Sequence, residues 1–261
     1  MLRITLLNPK GGCGKTTIAT NLASYFASNG RNTVLFDFDS QGSSTRWLDV
    51  RPPDLASIHG VPAFRDAGNA TRAWQLRVPT GTDRVVVDTP ASVSGPKFDE
   101  LIRRSDRILI PLLASPIDLD AFVKFMPRLA RAARVRSGDV KVGVIINRVR
   151  LGTSYYKTLR AQLDETLAQG PFELLTALRD TQNYVRAGAR GSGLAELESS
   201  RTAPDVAAWA PVLRWFGETV DEPVGPEGKS STRSKKTSDS GPKQQSLDLE
   251  AQRRGQRIAA A

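Results

Sequence analysis

The chain has 261 residues, 39% of them hydrophobic and 25% charged, with a mean hydropathy of −0.31; no apolar run nears the roughly 18–20 residues that a membrane-crossing helix needs. A single cysteine, Cys13, excludes a disulfide framework or a cysteine-caged metal centre within one chain, and a single histidine, His59, argues against a histidine metal site or a Ser-His-Asp triad. Lys and Arg number 37 against 27 Asp and Glu, a net charge of +10 and a pI near 10.1, a surplus that attracts polyanions, nucleic acid before anionic membrane.

The N-terminus opens at once on a strand-like run, Leu2–Leu7, without the charged head, apolar core and small-residue cleavage site of a secretory leader, so a soluble cytoplasmic protein is expected. Short β-branched runs follow at Thr33–Phe38, Arg84–Val87, Arg107–Leu112 and Lys141–Ile146 and read as buried parallel strands. Helical patterns alternate with them at Lys15–Asn29, Pro96–Arg104, Asp118–Val135 and Ser154–Gln169, with Gly30 just past the end of the first. This alternation predicts an α/β fold, a single domain with a mostly parallel twisted sheet flanked by helices on both faces.

Three stretches are less regular. Arg51–Thr80 reads as loop with short helices, and the glycine-bearing segment Tyr184–Gly191 as a flexible loop. Two last helices are expected over Gly193–Glu198 and Ala203–Thr219, the second burying Trp209, Leu213 and Phe216. From Glu222 to Ala261 the composition turns to Ser, Lys, Gly, Pro and Gln with no aromatic residue, too little apolar surface to offset the entropy of ordering. The expected division is therefore a folded domain over 1–221 and a basic, disordered tail over 222–261, with at most a weakly amphipathic helix over Ser246–Ala260.

The strongest chemical signal is Asn8-Pro9-Lys10-Gly11-Gly12-Cys13-Gly14-Lys15-Thr16-Thr17, set between a strand and a helix. Glycines let successive backbone N–H groups turn around phosphate oxygens, and the helix points its positive end at the same charge. In this pattern Gly11, Gly12, Cys13, Gly14, Lys15, Thr16 and Thr17 form a nucleotide-binding loop; Lys15 reaches the β- and γ-phosphates, and the Thr16 hydroxyl is placed to ligand Mg²⁺. Val85-Val86-Val87-Asp88 is an apolar strand ending in a carboxylate, the arrangement that holds a Mg²⁺ water at the C-terminal edge of a sheet. Cys13 is expected to pack as a small residue, and His59 to lie in a surface loop.

The form Lys10-Gly11-Gly12-X-Gly14-Lys15-Thr16 has Pro9 where the ordinary loop has glycine and a second lysine at its entrance. It resembles the deviant P-loop ATPases of the ParA/MinD family, and the likeness runs along nearly all of residues 1–220. Asp37-Phe38-Asp39-Ser40-Gln41-Gly42 resembles the family's Asp-X-Asp-Pro-Gln-Gly segment, Ser40 standing for the proline. The resemblance implies that ATP and Mg²⁺ are bound, that two chains sandwich two ATP molecules, and that Lys10 crosses to the partner's phosphates. It also implies that Asp39 positions the attacking water and touches the Mg²⁺ shell. Lys10, Lys15 and Asp39 are then the catalytic set, and Thr16, Asp39 and Asp88 the metal set. Asn147, at the end of a strand, resembles the family's adenine contact, a purely structural asparagine being the equal alternative. Family members typically carry Pro-Arg where this chain has Arg179-Asp180. No arginine finger is evident, so slow, partner-stimulated hydrolysis is expected.

The output implied is non-specific binding of nucleoid DNA by an ATP-dependent homodimer, with Arg148, Arg150, Arg186 and Arg190 as the expected phosphate contacts. A cargo adaptor would stimulate hydrolysis, and the cargo would be a plasmid or chromosome partition complex or a protein organelle such as a carboxysome. Arg128, Arg131, Arg134 and Arg136 read as a solvated face rather than a DNA stripe. Because Leu2–Leu7 is already the strand before the loop, no helix-turn-helix domain is expected ahead of it. The alternative is a MinD-like membrane switch, which needs a bulky C-terminal amphipathic helix; the tail offers only Leu247, Leu249 and Ile258. A reductase iron protein or a ligase of related fold is disfavoured, the one cysteine standing in the phosphate loop.

Overall fold

Among the described residues, seven parallel strands form one sheet in the order β3-β2-β4-β1-β5-β6-β7. The computed structural model describes residues 1–65, 76–197 and 200–220; the expectations for the tail, and for residues 66–75 of the irregular segment, lie outside the described residues. The strands are β1 (Leu2–Leu6), β2 (Thr33–Asp37), β3 (His59–Pro62), β4 (Arg84–Asp88), β5 (Arg107–Leu113), β6 (Lys141–Val149) and β7 (Phe172–Arg179). Between and after them lie α1 (Lys15–Ser28), α2 (Ser43–Asp49), α3 (Gly95–Arg104), α4 (Pro116–Arg131), α5 (Ala133–Arg136), α6 (Ser154–Leu167) and α7 (Gln182–Ala189). A 3-10 turn (Leu194–Glu196), α8 (Ala203–Ala207) and α9 (Ala210–Trp215) complete the described chain.

Side chains alternate across a strand, so a sheet covered on both faces needs apolar residues at successive positions. The strands supply them. Val34, Phe36, Val85, Val87, Ile108, Ile110, Val144 and Ile146 pack on one face, where Phe98, Leu101, Phe122, Leu129, Leu159 and Leu163 of α3, α4 and α6 meet them. Leu35, Val86, Leu109 and Ile145 point to the other face, against Ile18, Leu22 and Phe26 of α1 and Val212 and Leu213 of α9. Trp209 and Phe216, flanking α9, close this second face as expected.

β1 sits mid-sheet, paired with β4 on one side and β5 on the other. Its last rung to β5 is Leu6 opposite Leu109, so Pro111, which has no N–H to give, lies beyond that ladder. The loop that follows β1 therefore opens at the middle of the sheet's C-terminal edge, where parallel α/β sheets bind ligands.

Several expectations need correction. The strands expected from the sequence omitted Phe172–Arg179, whose Leu, Ala and Glu favour helix; it pairs with β6, across two register shifts, as the edge strand β7, tertiary pairing overriding local preference. His59 is exposed as expected, but on strand β3, which the loop reading of Arg51–Thr80 omitted. The helix expected over Asp118–Val135 breaks at Ala132, whose extended backbone (φ −60°, ψ 130°) lets Val135 bury and turns Arg134 inward. Arg134 donates to the carbonyls of Arg103 (2.5 Å) and Ser105 (2.9 Å), capping the end of α3 rather than standing on a solvated face. The Arg128 guanidinium lies 3.9 Å from the centre of the Phe98 ring. The helix expected over Ala203–Thr219 is two short ones, with Pro211 in the first turn of α9, where a missing N–H costs nothing.

Candidate functional site

The loop from Leu7 to Gly14 is held by its own polar groups and by groups from the neighbouring strands and the loops that follow them. Asn8, 5% exposed, accepts from the Lys10 N–H (2.8 Å) through its side-chain oxygen, while its amide donates to the Pro111 carbonyl. On the other flank the Thr89 hydroxyl donates to Leu6 O (2.6 Å) and the Ser92 hydroxyl to Pro9 O (2.8 Å). β4 and β5 thus hold the entrance from both sides. Gly12 (φ +74°) and Gly14 (φ +93°) take left-handed backbone that a side chain would strain. At Gly14 the fit is tighter still: a Cβ would fall 2.3 Å from the Asn147 amide nitrogen.

The Asn147 amide donates to Cys13 O at 2.9 Å and the residue is 6% exposed. Of the two readings of this asparagine, the structural one has a direct observation: β6 holds the loop through it. Lys15 opens α1 buried, its ammonium donating to Lys10 O (3.0 Å) and Asn8 O (3.4 Å). Lys10 is half-buried at the loop entrance. Cys13 is fully buried, its thiol donating to Lys10 O (3.5 Å), and burial pushes that thiol up, against reactivity. It packs as a small residue.

The second strand delivers its carboxylates by a tight turn. Asp37 accepts from the Asp39 N–H (3.0 Å) and from the Thr45 N–H and hydroxyl (2.9 Å each), tying the turn to α2. Asp39, half-buried, accepts from the Gln41 N–H at 3.0 Å. Sequence reasoning passed over Asn8 and Asp37 as organisers; the signal was a buried polar residue at or just past the end of a strand.

Asp88 ends β4, 1% exposed, and among the described residues neither carboxylate oxygen has a hydrogen-bond partner; the buried Ser44 hydroxyl also lacks one. Burial pushes the Asp88 carboxyl up to about 7, and the neighbouring Asp37 charge adds to the rise. The Thr16 and Ser44 hydroxyls and the Lys15 ammonium oppose it from nearby without completing a bond. A buried carboxylate with orphaned oxygens beside a threonine hydroxyl and the phosphate loop suits a hydrated divalent cation, whose water would donate to Asp88. The donor set therefore fits Mg²⁺.

Beyond the loop a cleft of about 290 Å³ runs between Thr17, Asn147, Arg148, Arg179, Asp180, Thr181, Tyr184 and Val185. Arg148, at φ +53°, lines the rim of this cleft and is exposed, as are Arg150, Arg186 and Arg190. Arg186 stands on helix α7 and Arg190 caps it, so the flexible loop expected here is a helix. Gly191 (φ +62°) ends it where a Cβ would lie 2.5 Å from the Arg51 backbone, and Gly193 packs on Ser24; these glycines serve close packing, not mobility.

Comparison with known proteins follows the same outline. The family model described as "CobQ/CobB/MinD/ParA nucleotide binding domain" matches residues 4–194. The chain is 29% identical over 203 residues to "Maintenance of carboxysome distribution protein A" of Halothiobacillus neapolitanus, covering 77% of this chain and 91% of that protein. It is 30% identical over 193 residues to "Chromosome-partitioning ATPase Soj" of Thermus thermophilus, covering 62% of this chain and 77% of that one. Among solved structures, an ATP complex of Cyanothece McdA shares the fold at TM-score 0.60 and 19% identity, over 81% of this chain and 96% of that one. The MinD cell division protein of Aquifex aeolicus shares it at TM-score 0.58 and 16% identity, over 84% and 98%.

Proposed function

This chain belongs to the CobQ/CobB/MinD/ParA nucleotide-binding family, as an ATPase of the ParA/MinD type, and on that premise we propose that it is an ATP-switched dimer that binds DNA non-specifically and positions a cargo. The observation that carries the reading is the loop itself: Gly12 and Gly14 in left-handed backbone, Lys15 buried inside the curve, and a second lysine, Lys10, at its mouth.

In this reading the N–H groups of Gly11–Thr16 and the Lys15 ammonium hold the triphosphate, and the cleft at Thr17 and Asn147 takes the base. Thr16 and Asp88 would hold Mg²⁺, which supplies charge neutralisation on the β- and γ-phosphates when bound. Asp39, on a turn braced by Asp37, orients the attacking water. Lys10 reaches the γ-phosphate bound by a second copy, so that nucleotide occupancy decides whether one chain or a pair exists. Pairing doubles the exposed arginines, Arg148, Arg150, Arg186 and Arg190 among them, and phosphate contacts add steeply. The unit is residues 1–221, with 222–261 as a basic tail that assists. Likeness to the carboxysome distribution protein favours a protein organelle as cargo, likeness to the partitioning ATPase a chromosome; an adaptor that stimulates hydrolysis is expected for either.

Light scattering of the full chain with Mg²⁺ and ATP, followed by DNA retention at two salt concentrations, tests this. The wild type should pair and retain DNA only with ATP. Lys15→Ala should lose nucleotide, pairing and DNA together; Lys10→Ala should keep nucleotide yet stay single; Asp39→Ala should stay paired and DNA-bound. An assembly state indifferent to ATP would overturn the switch.

A further inference from the structure

Asp205, in the first turn of α8, has a side chain with no exposure, and none of the chemistry above uses it. Its carboxylate takes four hydrogen bonds. One oxygen accepts from Arg179 Nε (2.8 Å) and Nη2 (2.6 Å). The other accepts from the Thr181 hydroxyl (3.0 Å) and the Asn183 amide (2.7 Å). All three partners belong to one short stretch, from the last residue of β7 into the first turn of α7.

That stretch is part of the cleft lining: Arg179, Asp180 and Thr181 line it together with Thr17 and Asn147, and none of Gly11–Thr16 does. A carboxylate taken out of water is costly unless its lone pairs are met. Here all the partners come from a single loop, so the loop is held in the one arrangement that meets them. The two-point contact also fixes the plane of the Arg179 guanidinium. The Arg179 side chain remains 38% exposed and lines the cleft.

We propose that Asp205 is a positioning residue for base recognition, holding Arg179 and the 179–183 stretch so that the cleft accepts the purine of a nucleoside triphosphate. This rests on the nucleotide reading above. The geometry separates the two ends of the ligand: the triphosphate belongs to the glycine loop, the base to a wall that Asp205 ties to α8. Loss of the clamp therefore weakens a ligand that has a base and spares one that has none.

The experiment is calorimetric titration of the full-length wild type, Asp205→Asn and Arg179→Lys with ATP and, separately, with inorganic triphosphate, Mg²⁺ present throughout. Asp205→Asn should weaken ATP about tenfold and change triphosphate by less than twofold. Arg179→Lys keeps the charge but loses the two-point contact; it should show the same split, and it carries the test if Asp205→Asn does not fold. The double variant should be no weaker than the singles. ATP affinity unchanged in both variants, or ATP and triphosphate weakened equally, would overturn the role of Asp205. A wild type that binds neither ligand would instead overturn the nucleotide reading on which it rests.

Discussion

The two edges of the sheet are made from the same strands and treat their polar groups in opposite ways. At the N-terminal edge, charge is closed upon charge. Glu218, its side chain 4% exposed, holds Arg84 through Nε (2.8 Å) and Nη2 and reaches Arg31 at 2.9 Å. Asp106 accepts from the Arg3 N–H (2.8 Å), Asp83 from the Asn32 N–H (2.9 Å), and Arg134 covers two carbonyls at the end of α3. At the C-terminal edge the polar groups converge on a space instead. The Lys15 ammonium is held by loop carbonyls, Asp88 keeps both oxygens without a hydrogen bond among the described residues, and two loop glycines take left-handed backbone. One edge is finished by the fold; the other is built to be finished by a ligand.

If that contrast holds, damage to each edge should read out differently. The largest effect is expected at the closed edge. Glu218→Ala strands the Arg84 guanidinium, whose side chain is 15% exposed, without its carboxylate; chemical denaturation should report a loss of about 2–4 kcal/mol, with ATP affinity unchanged. A large loss of ATP affinity in this variant would break the separation between the edges.

Next comes the open edge. Gly14→Ala places a methyl in left-handed backbone and displaces the Asn147 amide from Cys13 O. Nucleotide affinity should fall roughly 30-fold, about 2 kcal/mol, while the melting temperature moves only a few degrees.

The smallest effect has a sign set by titration. A carboxyl raised from 3.8 to about 7 by burial costs the nucleotide-free protein stability once it ionises. That cost begins near pH 4, grows as pH rises, and is complete above about 7. Asp88→Asn should therefore stabilise the nucleotide-free chain by roughly 1–2 kcal/mol at pH 8 and by little at pH 4, while hydrolysis falls. Denaturation curves at the two pH values check it; an advantage that shrinks as pH rises would place a bound proton or partner on Asp88 that the structure does not hold.

Much of this was legible in the chain. The phosphate loop could be read because its chemistry is local: glycine conformation, a lysine and a threonine at fixed spacing, a strand before and a helix after. The apolar runs of β1, β2, β4, β5 and β6 announced burial on both faces. β7 could not be read, since Leu174, Leu175 and Ala177 suit a helix as well as a strand and only pairing with β6 decides. Arg134 reads as one more surface charge until the break at Ala132 turns it onto the end of α3. The glycines after α7 looked like freedom and proved to be close contacts with Arg51 and Ser24.

The sequence by itself determined the class of ligand and the strand-to-helix turn that holds it, because both depend on residues within about ten positions of one another. Only the tertiary structure decided which distant groups complete that turn. Asn147 is 134 positions from Cys13, and Arg179 is 26 positions from Asp205. Such partners are chosen by how seven parallel strands stack their ends at one edge, and a linear pattern carries no record of that distance.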